Sequence, residues 1–85
     1  MAESKGTILI VDDELNALKV LSAILSAEDF LVTQASSVDE AIALMQTAVP
    51  DTIVTDMKMP GKTGLDLFEH VKRHHPDIPV IFLTA

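Results

Sequence analysis

The sequence predicts an α/β fold, a parallel sheet with flanking helices. Two observations carry this. Short, nearly unbroken apolar runs recur at residues 8–11, at 53–54 with flanking threonines, and at 80–83. Continuous runs of this kind suit strands covered on both faces. Between them lie stretches with helical periodicity, giving the order β-α-β-α-β-α-β. That alternation implies right-handed crossovers and a parallel sheet.

The first strand is Thr7-Ile8-Leu9-Ile10-Val11. A helix follows over residues 14–28, where Leu15, Ala17, Leu18, Leu21, Ile24 and Leu25 form a broad apolar face. Asp13 is placed to cap it. Leu31-Val32-Thr33-Gln34-Ala35 mixes polar and apolar residues and reads as an edge strand. The second helix opens on Ser37-Val38-Asp39-Glu40, a capping-box pattern. Val38, Ala41, Ile42, Met45 and Ala48 continue it at helical spacing, with Pro50 beyond its end. Thr52-Ile53-Val54-Thr55 is the third strand. A second candidate box, Thr63-Gly64-Leu65-Asp66, opens the third helix, and Leu67, Phe68 and Val71 form its buried stripe. This helix closes on Lys72-Arg73-His74-His75, cations at the negative pole of its dipole. His74 and His75 are adjacent and so diverge on a helix, which favours a role at the helix end over a metal pair. Met45, Phe68 and Phe82 fall at core spacing.

The chain has 85 residues, enough for one small domain, and its 48% hydrophobic content argues for a folded globule. Thirteen acids against six Lys plus Arg give a net charge of −7, which disfavours contact with nucleic acid. The absence of cysteine excludes disulfide and thiol chemistry. Residues 1–6 carry no apolar signal core and are expected to be disordered, and no run is long enough to span a membrane. A cytoplasmic location is the resulting expectation.

Chemistry concentrates where the runs end. Asp12 and Asp13 follow the first strand, and Asp56 follows the third. In a parallel sheet of order 2-1-3-4 the strand order reverses between those two strands, and function gathers at their carboxyl ends. Like charges there repel: one pair 4 Å apart costs about 4 kcal/mol at an effective dielectric of about 20. A bound divalent cation, or protonation, would relieve that repulsion. Such a cation would also screen the repulsion between a carboxylate and an incoming phosphate, so that the carboxylate can act as a nucleophile. Helix capping for Asp12 and Asp13, and a turn role for Asp56, are the structural alternatives.

These residues resemble the receiver domain of bacterial response regulators. The matching motifs are Ile8-Leu9-Ile10-Val11-Asp12-Asp13-Glu14, then Asp56-Met57-Lys58-Met59-Pro60-Gly61 with Gly64, then Ile81-Phe82-Leu83-Thr84-Ala85. The wording around Met57 to Gly61 is most similar to receivers of sigma-54-type transcription activators. The resemblance implies a flavodoxin-like sheet and a partial receiver over residues 7–85. It implies Asp56 as phosphoacceptor, and Mg²⁺ held by Asp12, Asp13, Asp56 and the backbone carbonyl of Lys58. It implies Thr84 as the switch hydroxyl and a sensor histidine kinase as partner. Family members have five βα units. The fourth helix, the fifth strand and helix, and the lysine at the end of the fifth strand have no counterpart in this sequence.

Three functions therefore compete. The first is a phosphoryl-accepting signalling module rather than a turnover enzyme. The second is a Mg²⁺-dependent phosphohydrolase working through an aspartyl phosphate, although such enzymes carry a second acid where this chain has Lys58. The third is an unphosphorylated interaction or dimerisation module. With no fifth strand beside it, the uncharged run at residues 80–83 is expected to act as an open sheet edge through which chains self-associate.

Overall fold

A computed structural model describes residues 5–83. It contains four parallel strands and three helices. These are β1 (Thr7–Val11), α1 (Leu15–Ala27), β2 (Leu31–Ala35), α2 (Val38–Thr47), β3 (Thr52–Asp56), α3 (Gly64–His74) and β4 (Val80–Leu83). The strand order is β2-β1-β3-β4, so the predicted 2-1-3-4 sheet is present. β2 occupies one edge, as its mixed composition requires.

Side chains alternate across β1 because successive residues of a strand face opposite ways. Leu9 and Val11 join Ile53, Val38, Ala41, Met45, Leu67 and Val71 in a core between the sheet and the pair α2 and α3. Ile8 and Ile10 join Val54 and Leu18 on the other face, under α1. Val54 at 9% exposed and Leu18 at 2% show how closely that helix seats on the central strands.

The broad apolar face expected for α1 is buried only along its middle. Leu18 is enclosed and Leu21 and Leu25 are half-buried, whereas Leu15 and Ile24 remain 65% and 55% exposed. One helix crossing the sheet covers a single stripe, whatever the width of its apolar surface. Phe68 and Phe82 also depart from the core expectation. Both are half-buried, with ring centroids 5.8 Å apart at the border of α3 and β4. In β4, Val80, Phe82 and Leu83 are half-buried and Ile81 is 51% exposed. This run is therefore not covered on both faces. Among the described residues β4 forms the second sheet edge.

The amino end of the sheet is tied by Asp51. Its carboxylate accepts from the Thr7 backbone N–H at 2.8 Å, while its own N–H donates to the Thr7 carbonyl at 2.9 Å. Lys5 and Gly6 lie alongside β2. The Lys5 N–H donates to the Asp29 carbonyl, and the Leu31 N–H to that of Gly6.

Candidate functional site

β1 and β3 are in register with Val11 opposite Thr55, so the next residues, Asp12 and Asp56, emerge side by side. The Asp12 N–H still pairs with the Ala35 carbonyl of β2 at 3.1 Å, which fixes the backbone where the strand ends. Asp13 then turns outward. One carboxylate oxygen from each of Asp12, Asp13 and Asp56 lies within 4.8 Å of the other two. The three acids singled out in the sequence are thus one cluster, at the point where the strand order reverses.

Their surroundings differ. Asp12 is buried at 8% exposed, Asp56 is half-buried and Asp13 is exposed. Burial raises the Asp12 carboxyl above its ordinary value, and the negative charges of Asp56 and Asp13 push the same way. The Glu14 N–H opposes them. That N–H donates to Asp12 Oδ1 at 3.0 Å. The contact overturns the expected cap: α1 has Glu14 at its N-cap with no side-chain cap bond, and Asp13 does not serve there. Asp12 takes the N–H that precedes the helix, which leaves Asp13 free to face the cluster.

The loop after Asp56 is held at several points. The Lys58 N–H points to Asp56 Oδ1 at 3.4 Å, and the Lys58 side chain is exposed. Met59 turns inward to 8% exposure and joins the core under α2 and α3. The Gly64 N–H donates to the Met57 carbonyl at 3.1 Å. Lys62 reaches α2 and pairs with Asp39 at 2.6 Å; this hydrogen bond and charge raise its pKa. The predicted box at Thr63 is complete, with Thr63 Oγ1 accepting from the Asp66 N–H and Asp66 Oδ2 accepting from the Thr63 N–H. The box at Ser37 is offset by one residue. Ser37 Oγ accepts from the Glu40 N–H, but Glu40 reaches back to the Ser36 N–H at 2.7 Å.

Met59 and Lys62 are the anchors that sequence reasoning missed. An isolated methionine in a loop carries no periodicity, and an ion pair between residues 39 and 62 has no local signature. Asp56 pairs with Leu83 across β3 and β4, which brings the end of β4 to the cluster. Thr84, the expected switch hydroxyl, lies outside the described residues.

Three hard oxygen donors converging on one point suit Mg²⁺, which takes one or two carboxylates and keeps several waters. Among the described residues, no helix is long and apolar enough to cross a membrane.

Comparison with known proteins agrees with this geometry. The family model described as "Response regulator receiver domain" matches residues 8–85. The DNA-binding transcriptional regulator NtrC of Salmonella typhimurium is 33% identical over 81 residues, covering 95% of this chain and 17% of that protein. The probable transcriptional regulator ycf27 of Guillardia theta is 36% identical over 83 residues, covering 98% of this chain and 32% of that protein. The chain thus spans between a sixth and a third of these relatives. Among solved structures, the N-terminal domain of a response regulator receiver protein from Methanoculleus marisnigri superposes with a TM-score of 0.91 at 31% identity, over 96% of this chain and 68% of that one. The response regulator TrrA of Thermotoga maritima, solved with Mg²⁺-BeF, gives 0.88 at 32% identity, over 93% and 69%. With its sheet order, its acid cluster and a match over nearly all of its length, the chain belongs to the response regulator receiver domain family of two-component signalling.

Proposed function

We propose that this receiver segment accepts a phosphoryl group on Asp56, with Mg²⁺ held by Asp12, Asp13, Asp56 and the Lys58 carbonyl. The observation that carries the proposal is the convergence of three carboxylates within 4.8 Å at the strand-order reversal. The TrrA complex with Mg²⁺-BeF supports it by likeness.

The residues divide the work. Asp12 is the buried anchor, held in place by the Glu14 N–H. Asp13 is the exposed charge of the cluster. Asp56 is half-buried, and the Lys58 N–H lies near its Oδ1, leaving the other carboxylate oxygen to attack phosphorus. That oxygen forms a new P–O bond as the P–N bond of a kinase phosphohistidine breaks, and the electron pair leaves with the imidazole. Bound Mg²⁺ supplies positive charge that offsets the repulsion between the acids and the incoming phosphate. Thr84 is the proposed switch hydroxyl, donating to the phosphoryl oxygens. The segment then works as a regulatory phosphoacceptor, with a sensor histidine kinase as donor.

Asp13→Asn tests the metal reading in two ways. Mg²⁺ affinity is expected to fall by about tenfold or more with the loss of one charged ligand. Without divalent cations the variant is expected to be more stable than the parent, by on the order of 0.5–1 kcal/mol for an exposed charge. The pH dependence has a defined sign. Asp12 is raised in the folded chain, so its contribution to stability is complete below the ordinary carboxylate range and is lost as pH rises through the raised value. Mg²⁺ should restore what is lost. Equal Mg²⁺ affinity of the two proteins by calorimetry would reject this ligand set.

The isolated 85-residue polypeptide is also proposed to associate through the outer edge of β4, where Ile81 is 51% exposed. Light scattering should then give a mass above 9.2 kDa that depends on concentration. A cooperative monomer would count against this edge.

A further inference from the structure

Away from the acid cluster, α3 brings two histidines together that are not adjacent in sequence. His70 and His74 are four residues apart, so they share a helix face. Their ring centroids are 4.3 Å apart with planes inclined by 36°. His70 is half-buried and His74 is exposed. Both line an open groove of about 280 Å³ between α3 and the start of α2.

From this juxtaposition we infer a second cation site, for a borderline transition-metal ion of the Zn²⁺ class, held by the His70 and His74 imidazoles and completed by water. Two histidines at this helical spacing can present their rings to one ion, and imidazole favours Zn²⁺, Cu²⁺ and Ni²⁺ over Mg²⁺. The cluster at Asp12, Asp13 and Asp56 offers only hard oxygen donors, which suit Mg²⁺, so Mg²⁺ in excess can hold that site while the imidazoles take the softer ion. His74 also sits in the last turn of α3, where the helix dipole favours positive charge.

The groups facing the groove sort by sign. Val38 and Ile42 of α2 are apolar, while Asp66 and Glu69 of α3 bring negative charge. Lys62 and Arg73 are the opposing cations. Lys62 is held by Asp39 at 2.6 Å, which offsets its charge locally. Burial lowers the proton affinity of His70, and the neighbouring His74, His75, Lys62 and Arg73 lower it further. A neutral imidazole is the form that ligates a metal.

The test is a Zn²⁺ titration of the 85-residue chain in excess Mg²⁺, which keeps the acid cluster occupied. It is followed by calorimetry and by the histidine ring resonances. One saturating event is expected, shifting His70 and His74 together while His75 stays in place. Apparent affinity should fall as pH is lowered through the histidine range, because protons compete for the rings. Either His70→Gln or His74→Gln should weaken binding by about tenfold or more, as expected when a ligand is lost. His75→Gln and Asp13→Asn should leave it unchanged. His74 is exposed, so its variant is not expected to disturb the fold. Zn²⁺ binding that survives both single variants, or that Asp13→Asn removes, would overturn the site. So would the absence of any shift in the His70 and His74 rings.

Discussion

Asp56→Asn is expected to take up no phosphoryl group when this segment is placed in a receiver of full family length and supplied with a phosphorylated histidine kinase. The neutral amide of asparagine is a poor nucleophile, because its oxygen lacks the negative charge of a carboxylate and its nitrogen lone pair is delocalised into the carbonyl, so the P–O bond to residue 56 does not form. The change should not act through misfolding. Asparagine matches aspartate in shape, keeps an oxygen for the Lys58 N–H, and removes one of the three charges that crowd the cluster. The unmodified cluster repels itself, so the variant should be at least as resistant to urea as the parent. A loss of labelling with stability retained is therefore a chemical result. An acyl phosphate is labile, and the parent's label should be released by hydroxylamine. Stable, hydroxylamine-sensitive labelling of the variant would move the acceptor to another carboxylate, with Asp12 and Asp13 the nearest.

Why so much of this site was legible in sequence, and what was not, follows from the range of each interaction. The acids could be placed because strand runs end at Val11 and Thr55, and a parallel register turns those two endings into neighbours. The Thr63 box was readable because both of its bonds span three residues. The Asp13 cap failed on a competition one residue wide. Asp12 and Asp13 could each serve the helix start, and the strand geometry gave the Glu14 N–H to Asp12. Burial was less legible than periodicity. The α1 pattern says which residues share a face, but not that Leu15 and Ile24 extend past the stripe that meets the sheet. In the last turn of α3 the conspicuous pair, His74 and His75, diverges. His75 caps the helix through its backbone N–H to the Val71 carbonyl, while His74 turns back to His70. Lys62 and Asp39 are 23 residues apart, so only the packing of α2 against the loop makes them partners.

Gly64→Ala is expected to be the most damaging single-methyl change near the site. A Cβ on Gly64 would stand 2.4 Å from the Asp56 carbonyl oxygen and 3.1 Å from the Met57 Cα. Both neighbours are backbone atoms, so no side-chain rotation can make room. Either α3 backs away from the end of β3, or the Asp56 peptide moves. Retreat of α3 would loosen Leu67 and Val71, which are 0% and 1% exposed in the core. A shift at Asp56 would break the Gly64 N–H bond to the Met57 carbonyl and displace the carboxylate from the cluster. The expected cost is about 3 kcal/mol, at the upper end of overpacking effects. That is a large share of the stability of a domain this small. Gly61→Ala provides the comparison. Its φ of 77° is in the left-handed region, but a Cβ there would meet nothing within 4 Å. Only the conformational penalty remains, on the order of 1 kcal/mol. Urea unfolding should therefore rank the two variants widely apart, with Gly64→Ala also losing Mg²⁺ affinity and Gly61→Ala keeping it. Equal midpoints would mean that the close approach of α3 to the Asp56 carbonyl does not fix the position of Asp56.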